Sequence, residues 1–277
     1  MSPIIYQIFI YALHGIGAIL VGAEILRGRR TNELRAGTLS EWDASPLEIA
    51  RFVAVIFLSL YVIPILGKFI AGFAYPSVNI AKAPIYAVGF YQPLVLLAIL
   101  ACKVVTPNVN APKELRPRGW LSPFARDNVW AFFCIAFFCT LVGGLFSEAI
   151  PRVFPALKEI WQVNQILVEN LHNLENVSGL FFAVPGIVIF TPIVEEILFR
   201  AGLYRLLKSK LGGAGAAISS SFIFAFLHDS PAAILPLACL ACALCFAYER
   251  SGRIAVPIII HALFNANTLV AIFLGAE

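Results

Sequence analysis

The sequence predicts an all-α fold, a polytopic bundle of about eight transmembrane helices, and three observations carry that prediction. Of the 277 residues, 60% are hydrophobic and 13% charged, and the mean hydropathy of +0.86 lies outside the range of a soluble domain. Apolar runs of about twenty residues, the length that crosses a hydrocarbon core about 30 Å thick, recur along the whole chain. Lysine and arginine gather in alternate connections between those runs, as they do in cytoplasmic loops.

The first run covers residues 4–26; Met1 to Gln7 carries no basic residue and no small-residue cleavage site follows, so the run is expected to be retained and not removed as a signal peptide. Arg27, Arg29, Arg30 and Arg35 fill the connection to the second run, 50–74, and the third is 84–105. Next comes the longest polar stretch, Pro107 to Asn128, which with Lys103 holds Lys113, Arg116, Arg118 and Arg126. It is the natural boundary between an N-terminal three-helix membrane region with its cytoplasmic loop, 1–127, and a second membrane domain, 128–277, in which the polar intramembrane residues are concentrated.

The fourth run, 128–150, is followed between Pro155 and Asn176 by a segment too polar to span, expected as an amphipathic helix on the outer surface, with His172 as an interfacial histidine. The remaining runs are 179–200, 214–229, 232–249 and 253–275; the two middle ones are short and tightly joined at Asp229-Ser230-Pro231, as in a hairpin. Arg205, Lys208, Lys210, Arg250 and Arg253 fall on the same side as the earlier basic loops, which puts both termini outside.

The net charge of +4 comes from short loops and not from a basic stripe, so nucleic acid is not an expected partner; the lipid bilayer is. Six cysteines lie inside apolar runs and read as packing residues; Cys239, Cys242 and Cys245 have no His or acidic neighbour that would suggest a metal. His14, alone in the first run, also reads as packing.

Glu195-Glu196-Ile197-Leu198-Phe199-Arg200 breaks an apolar run. A charged side chain near the bilayer centre costs about 2.5–3.5 kcal/mol on insertion scales, and such groups mark pathways, relays or active sites. At about 100° per residue, Glu196 and Arg200 share a helix face within ion-pairing reach, whereas Glu195 points elsewhere and is free to face a cavity. The sixth run ends in Phe224-Ala225-Phe226-Leu227-His228, and the eighth contains His261-Ala262-Leu263-Phe264-Asn265. Counted from the basic ends at about 1.5 Å per residue, Glu195, His228, His261 and Asn265 sit at about 22, 22, 12 and 18 Å, depths at which all four can meet.

Such a set can do hydrolysis in two ways. Glu195 with His228 could polarise a water against a peptide carbonyl while His261 and Asn265 hold the oxyanion. Alternatively Glu195, His228 and His261 could ligate zinc, which would itself activate the water, although no H-E-x-x-H spacing is present. The metal-free arrangement is favoured, with no cofactor required and zinc as the alternative.

The motif order Glu-Glu-x-x-x-Arg, Phe-x-x-x-His and His-x-x-x-Asn, each on its own apolar segment, resembles the CPBP family of intramembrane proteases, which includes CAAX prenyl endopeptidases and bacterial Abi-like bacteriocin-processing or immunity proteins. Glu195, Glu196 and Arg200, Phe224 and His228, and His261 and Asn265 match without substitution, over about residues 128–275. The resemblance implies an endopeptidase with an intramembrane site opening toward the cytoplasm, in a bacterial plasma membrane. Glu195 and His228 would activate water, His261 and Asn265 would hold the oxyanion, and Glu196, Arg200 and Phe224 would support them. Family members have been described both as metalloproteases and as metal-independent glutamate proteases. The expected substrate is a peptide or lipidated protein at the membrane. The alternative is a non-catalytic immunity or scaffold protein that keeps the cavity to bind a peptide. A proton-coupled transporter is disfavoured because no paired repeats are visible.

Overall fold

A computed structural model of the chain describes residues 2–31, 39–76, 85–102, 129–161, 177–228 and 230–274. Every regular element among them is helical: α1 (Pro3–Thr31), α2 (Pro46–Ala74), α3 (Ile85–Cys102), α4 (Val129–Val153), α5 (Lys158–Trp161), α6 (177–226), α7 (Pro231–Ser251) and α8 (Ala255–Leu274). Six stretches are long and apolar enough to cross a membrane: Pro3–Leu26, Pro46–Ala74, Val129–Val153, Phe181–Phe226, Pro231–Ser251 and Ala255–Leu274; a shorter apolar helix covers Ala87–Cys102. Phe69, Phe73, Leu100 and Phe181 stand exposed on the flanks, as lipid-facing side chains do. The protein is a multi-pass integral membrane protein.

The runs expected at 179–200 and 214–229 are not separated by a loop. Helix continues through 201–211 and breaks at Gly212, whose φ of 67° and ψ of 173° suit a residue without a side chain. This divides α6 into α6a (177–211) and α6b (213–226). The basic residues that looked like loop charges explain the continuity, because two of them are buried and bonded. Arg205 donates from Nε to the Ser40 carbonyl (2.9 Å) and from Nη2 to the Glu41 carbonyl (3.2 Å). The Lys208 ammonium bonds the Leu39 carbonyl (2.7 Å) and Glu249, and Glu249 also accepts from the Tyr204 hydroxyl (2.6 Å). Residues 39–42 are thereby clasped to the end of α6a.

Helix α2 opens with a reciprocal cap. Ser45 accepts from the Glu48 amide, Glu48 accepts from the Ser45 amide at 2.8 Å, and Pro46 stands where its missing N–H is not needed. Three π-helical stretches occur among the described residues. Leu58–Val62 precedes Pro64 and Gly186–Phe190 precedes Pro192, as expected where a proline ring pushes on the carbonyl a turn before it. The third, Ile197–Tyr204, directly follows the two carboxylates and contains no proline.

Packing is organised around α6 and α7. One core joins Leu13 of α1, Phe133 and Phe137 of α4, Leu240 and Leu244 of α7, and Ile260 of α8. A second joins Trp42, Phe52 of α2 and Val95 of α3 to Val194 and Leu198 of α6a. Close approach of α3 and α6a depends on two glycines. A Cβ at Gly89 would lie 2.2 Å from the Phe182 carbonyl oxygen, and one at Gly186 would lie 2.9 Å from the Gly89 backbone.

All six cysteines are free thiols, and His14 packs on Phe137 with ring centroids 5.9 Å apart. Of the amphipathic helix expected from Pro155 to Asn176, a 3-10 turn (Pro155–Leu157) and α5 are described, and the Trp161 indole donates to Ser147 Oγ of α4 at 3.0 Å. The rest of it, His172 included, and the basic stretch 103–128 lie outside the described residues.

A candidate active site inside the helix bundle

Glu196 is completely enclosed, and its Oε1 lies 2.9 Å from Arg200 Nη1 and 2.9 Å from His261 Nδ1. The pair with Arg200 is the one the i, i+4 spacing suggests; the bond to His261 is not visible in any single helix. A carboxylate oxygen accepts, so Nδ1 of His261 carries the hydrogen and Nε2 is the ring nitrogen turned to the cavity, 3.7 Å from Glu195 Oε2. Glu195 keeps 21% of its side chain exposed, against none for Glu196. Two adjacent carboxylates therefore occupy opposite situations, one neutralised and enclosed, the other facing open space.

His228 follows the last turn of α6b, where its Nδ1 is 2.9 Å from the Phe224 carbonyl oxygen. The carbonyl must accept, so Nδ1 is protonated and Nε2 presents a lone pair. Asn265 on α8 donates from Nδ2 to the Ile187 carbonyl at 2.9 Å. That carbonyl belongs to the π-helical stretch before Pro192, where the regular backbone ladder is displaced, and the bond fixes the amide at the cavity wall.

Phe224 sits at the hub of these groups. Its ring centroid is 4.7 Å from that of His228 and 6.0 Å from that of His261, and the Arg200 guanidinium carbon stands 4.7 Å from it. A buried aromatic face toward a guanidinium is worth about 2 kcal/mol when desolvated. Phe224 thus braces two histidines and the cation at once.

Glu195, His228, His261 and Asn265 all line one cavity of about 570 Å³, within the ordinary range for ligand sites. Thr140, Thr191, Ser230 and Thr268 add hydroxyls to its wall. All seven residues singled out from the sequence thus come together at or directly behind one wall. Among the described residues no group of three His, Cys, Asp or Glu side chains is drawn together as a ligand set, while both histidines, with Nδ1 engaged by protein oxygens, keep Nε2 available.

Two wall residues escaped the sequence reading. Tyr91 and Gln92 of α3 line the same cavity, although α3 lies in the N-terminal region. A glutamine next to Pro93 in the middle of an apolar run was the available signal, of the same kind that drew attention to the glutamates.

The motif-bearing region can be set beside known proteins. Residues 177–267 match the family model described as "Type II CAAX prenyl endopeptidase Rce1-like". Residues 177–267 form a CPBP-type region, and the match supports a membrane protease. A Bacillus subtilis (strain 168) protein named "Putative membrane peptidase YdiL" is 27% identical over 230 residues, 80% of this chain and 86% of the relative. "UPF0177 protein YaiF" of Lactococcus lactis subsp. lactis (strain IL1403) is 34% identical over 111 residues, 40% of this chain and 47% of that protein. No solved structure matches significantly. The family-model match ends within α8, after His261 and Asn265, and does not extend to α3.

Proposed function

We propose that this protein is an intramembrane endopeptidase that hydrolyses a peptide bond of a membrane-associated substrate, either a small peptide or a lipidated, for example prenylated, protein. The observation that carries the reading is the unequal state of the two glutamates on one helix. Glu196 is neutralised by Arg200, while Glu195 faces a cavity that His228, His261 and Asn265 also line. Glu195 takes a proton from a water held between it and Nε2 of His228, and the water oxygen attacks the peptide carbonyl. As the carbonyl becomes an oxyanion, protonated Nε2 of His261 and the free N–H of Asn265 donate to it. Glu195 then returns the proton to the leaving amine, and the C–N bond breaks. With Nδ1 bonded to Glu196, it is the doubly protonated His261 ring that offers an Nε2–H, and Glu196 fixes the orientation this needs.

The reaction as drawn uses no metal. Were zinc bound, Glu195, His228 and His261 would be its ligands and it would supply the activated water; activity in chelator, measured together with the metal content of the purified protein, tests this. The basic connections support an opening on the cytoplasmic side, and the bacterial origin of both relatives supports a bacterial plasma membrane. Cleavage of internally quenched peptides in detergent should disappear in Glu195→Ala and in His228→Ala. Full activity in either variant would sink the mechanism.

A further inference from the structure

Glu195 and His228 stand between two cavities. Besides the one that also holds His261 and Asn265, a second of about 320 Å³ lies between α2, α3 and the two parts of α6, walled mainly by apolar side chains such as Phe52, Ile56, Leu60, Val95, Phe199 and Ile223. Four residues belong to both walls: Tyr91, Gln92, Glu195 and His228. Glu195 and His228 are the water-activating pair proposed above. Tyr91 and Gln92 come from α3, held to the site helix by the Gly89 and Gly186 crossing one turn away.

Gln92 is 8% exposed, its side chain bonds the Tyr91 hydroxyl, and its Oε1 is shut off from solvent with no hydrogen-bond partner among the described residues. A buried acceptor left unmet costs about 1–3 kcal/mol, a cost relieved by whatever brings an N–H to it. A carboxamide offers an acceptor and donors side by side, the complement of a peptide group, and this one shares both cavity walls with Glu195. An occupant that meets Gln92 extends into the smaller apolar space on one side and, on the other, into the larger space that carries the Thr140, Thr191, Ser230 and Thr268 hydroxyls, which an extended peptide does with successive residues.

We propose that Gln92 is a substrate-binding residue. Its carboxamide pairs with the substrate backbone where the peptide crosses between the two cavities, and the apolar cavity receives a bulky aliphatic or aromatic side chain next to the scissile bond. The inference rests on the peptidase reading and adds to it the part played by the N-terminal region, which sets both the register and the preference of the cut.

The test begins with a library of internally quenched decapeptides and the protein in detergent. The best substrate is remade with each backbone N–H near the scissile bond methylated in turn. At one position methylation lowers kcat/KM of the wild type about tenfold, the effect of one hydrogen bond to a buried partner. Gln92→Leu loses about the same factor, chiefly through KM, and no longer responds to methylation at that position; Gln92→Asn, shorter by one methylene, serves as a second variant in case the first does not fold. Ile223→Trp, at a position 45% exposed on the apolar cavity's rim, shifts the preferred neighbouring residue from large to small. Glu195-dependent cleavage with an unchanged methylation profile in the Gln92 variants, or with an unchanged side-chain preference in Ile223→Trp, overturns this inference and leaves the peptidase reading standing. No Glu195-dependent cleavage of any library member overturns both.

Discussion

Replacing each of the two adjacent glutamates by glutamine should separate stability from catalysis. Glu196→Gln keeps the shape and can still accept from His261, but it leaves the Arg200 guanidinium enclosed, 1% exposed, with its ion-pair partner gone. Apart from that carboxylate, neither of its Nη atoms has a hydrogen-bond partner among the described residues, and the Phe224 face 4.7 Å away offsets no more than about 2 kcal/mol. Removing one member of a buried pair costs about 3–5 kcal/mol, so Glu196→Gln should lose stability of that order. Glu195→Gln disturbs no ion pair with lysine or arginine among the described residues and faces the cavity, so it should cost less than about 1 kcal/mol. Hydrolysis should nevertheless fall about 10²–10⁴-fold in Glu195→Gln, because amide replaces base. Stability can be read by denaturant titration in mixed micelles with a thiol-reactive dye, since Cys134 and Cys245 are buried in the folded protein and become reactive on unfolding. Equal destabilisation by the two substitutions, or a Glu196→Gln protein as stable as the wild type, would refute the assignment of one neutralised and one working carboxylate.

Other variants probe the remaining parts. Asn265→Ala should lower kcat about 10²–10³-fold with little change in KM, and a loss confined to KM would remove Asn265 from the oxyanion site. Glu249→Ala leaves the Lys208 ammonium short of its acidic partner and should cost about 3–5 kcal/mol. Amide hydrogen exchange at residues 39–42 should quicken in that variant, and unaltered exchange there would show that Lys208 and Arg205 hold the clasp without it.

What could be read from the chain depended on whether the information was local to one helix. The Glu196 and Arg200 pair is set by four residues of helical rise, so spacing was enough to suggest it. The depth count worked for Glu195, His228, His261 and Asn265 because basic residues mark one end of each segment. Contacts between helices were less legible. The bond from His261 to Glu196 joins residues 65 apart and depends on how α6 and α8 are rotated about their axes, which periodicity does not determine. Arg205 and Lys208 looked like loop charges because the sequence does not show that residues 39–42 return to cover them. Gln92 was passed over because an uncharged amide in an apolar run is a weak signal, and the glycine crossing that brings α3 to the site is a property of two helices at once.

From Ile197 to Tyr204 the backbone hydrogen bonds run i→i+5, one residue more per ring than in an α-helix, and no proline imposes it. The surplus residue gears the two ends of this helix to each other: Glu195 and Glu196 mesh with α8 above it, while Tyr204, Arg205 and Lys208 mesh with Glu249 and residues 39–42 below. Closing the same residues into ordinary α-helical turns would leave nearly all the chemistry in place and still turn one set of teeth by about 100° relative to the other. In this helix, length constrains the protein as strictly as residue type.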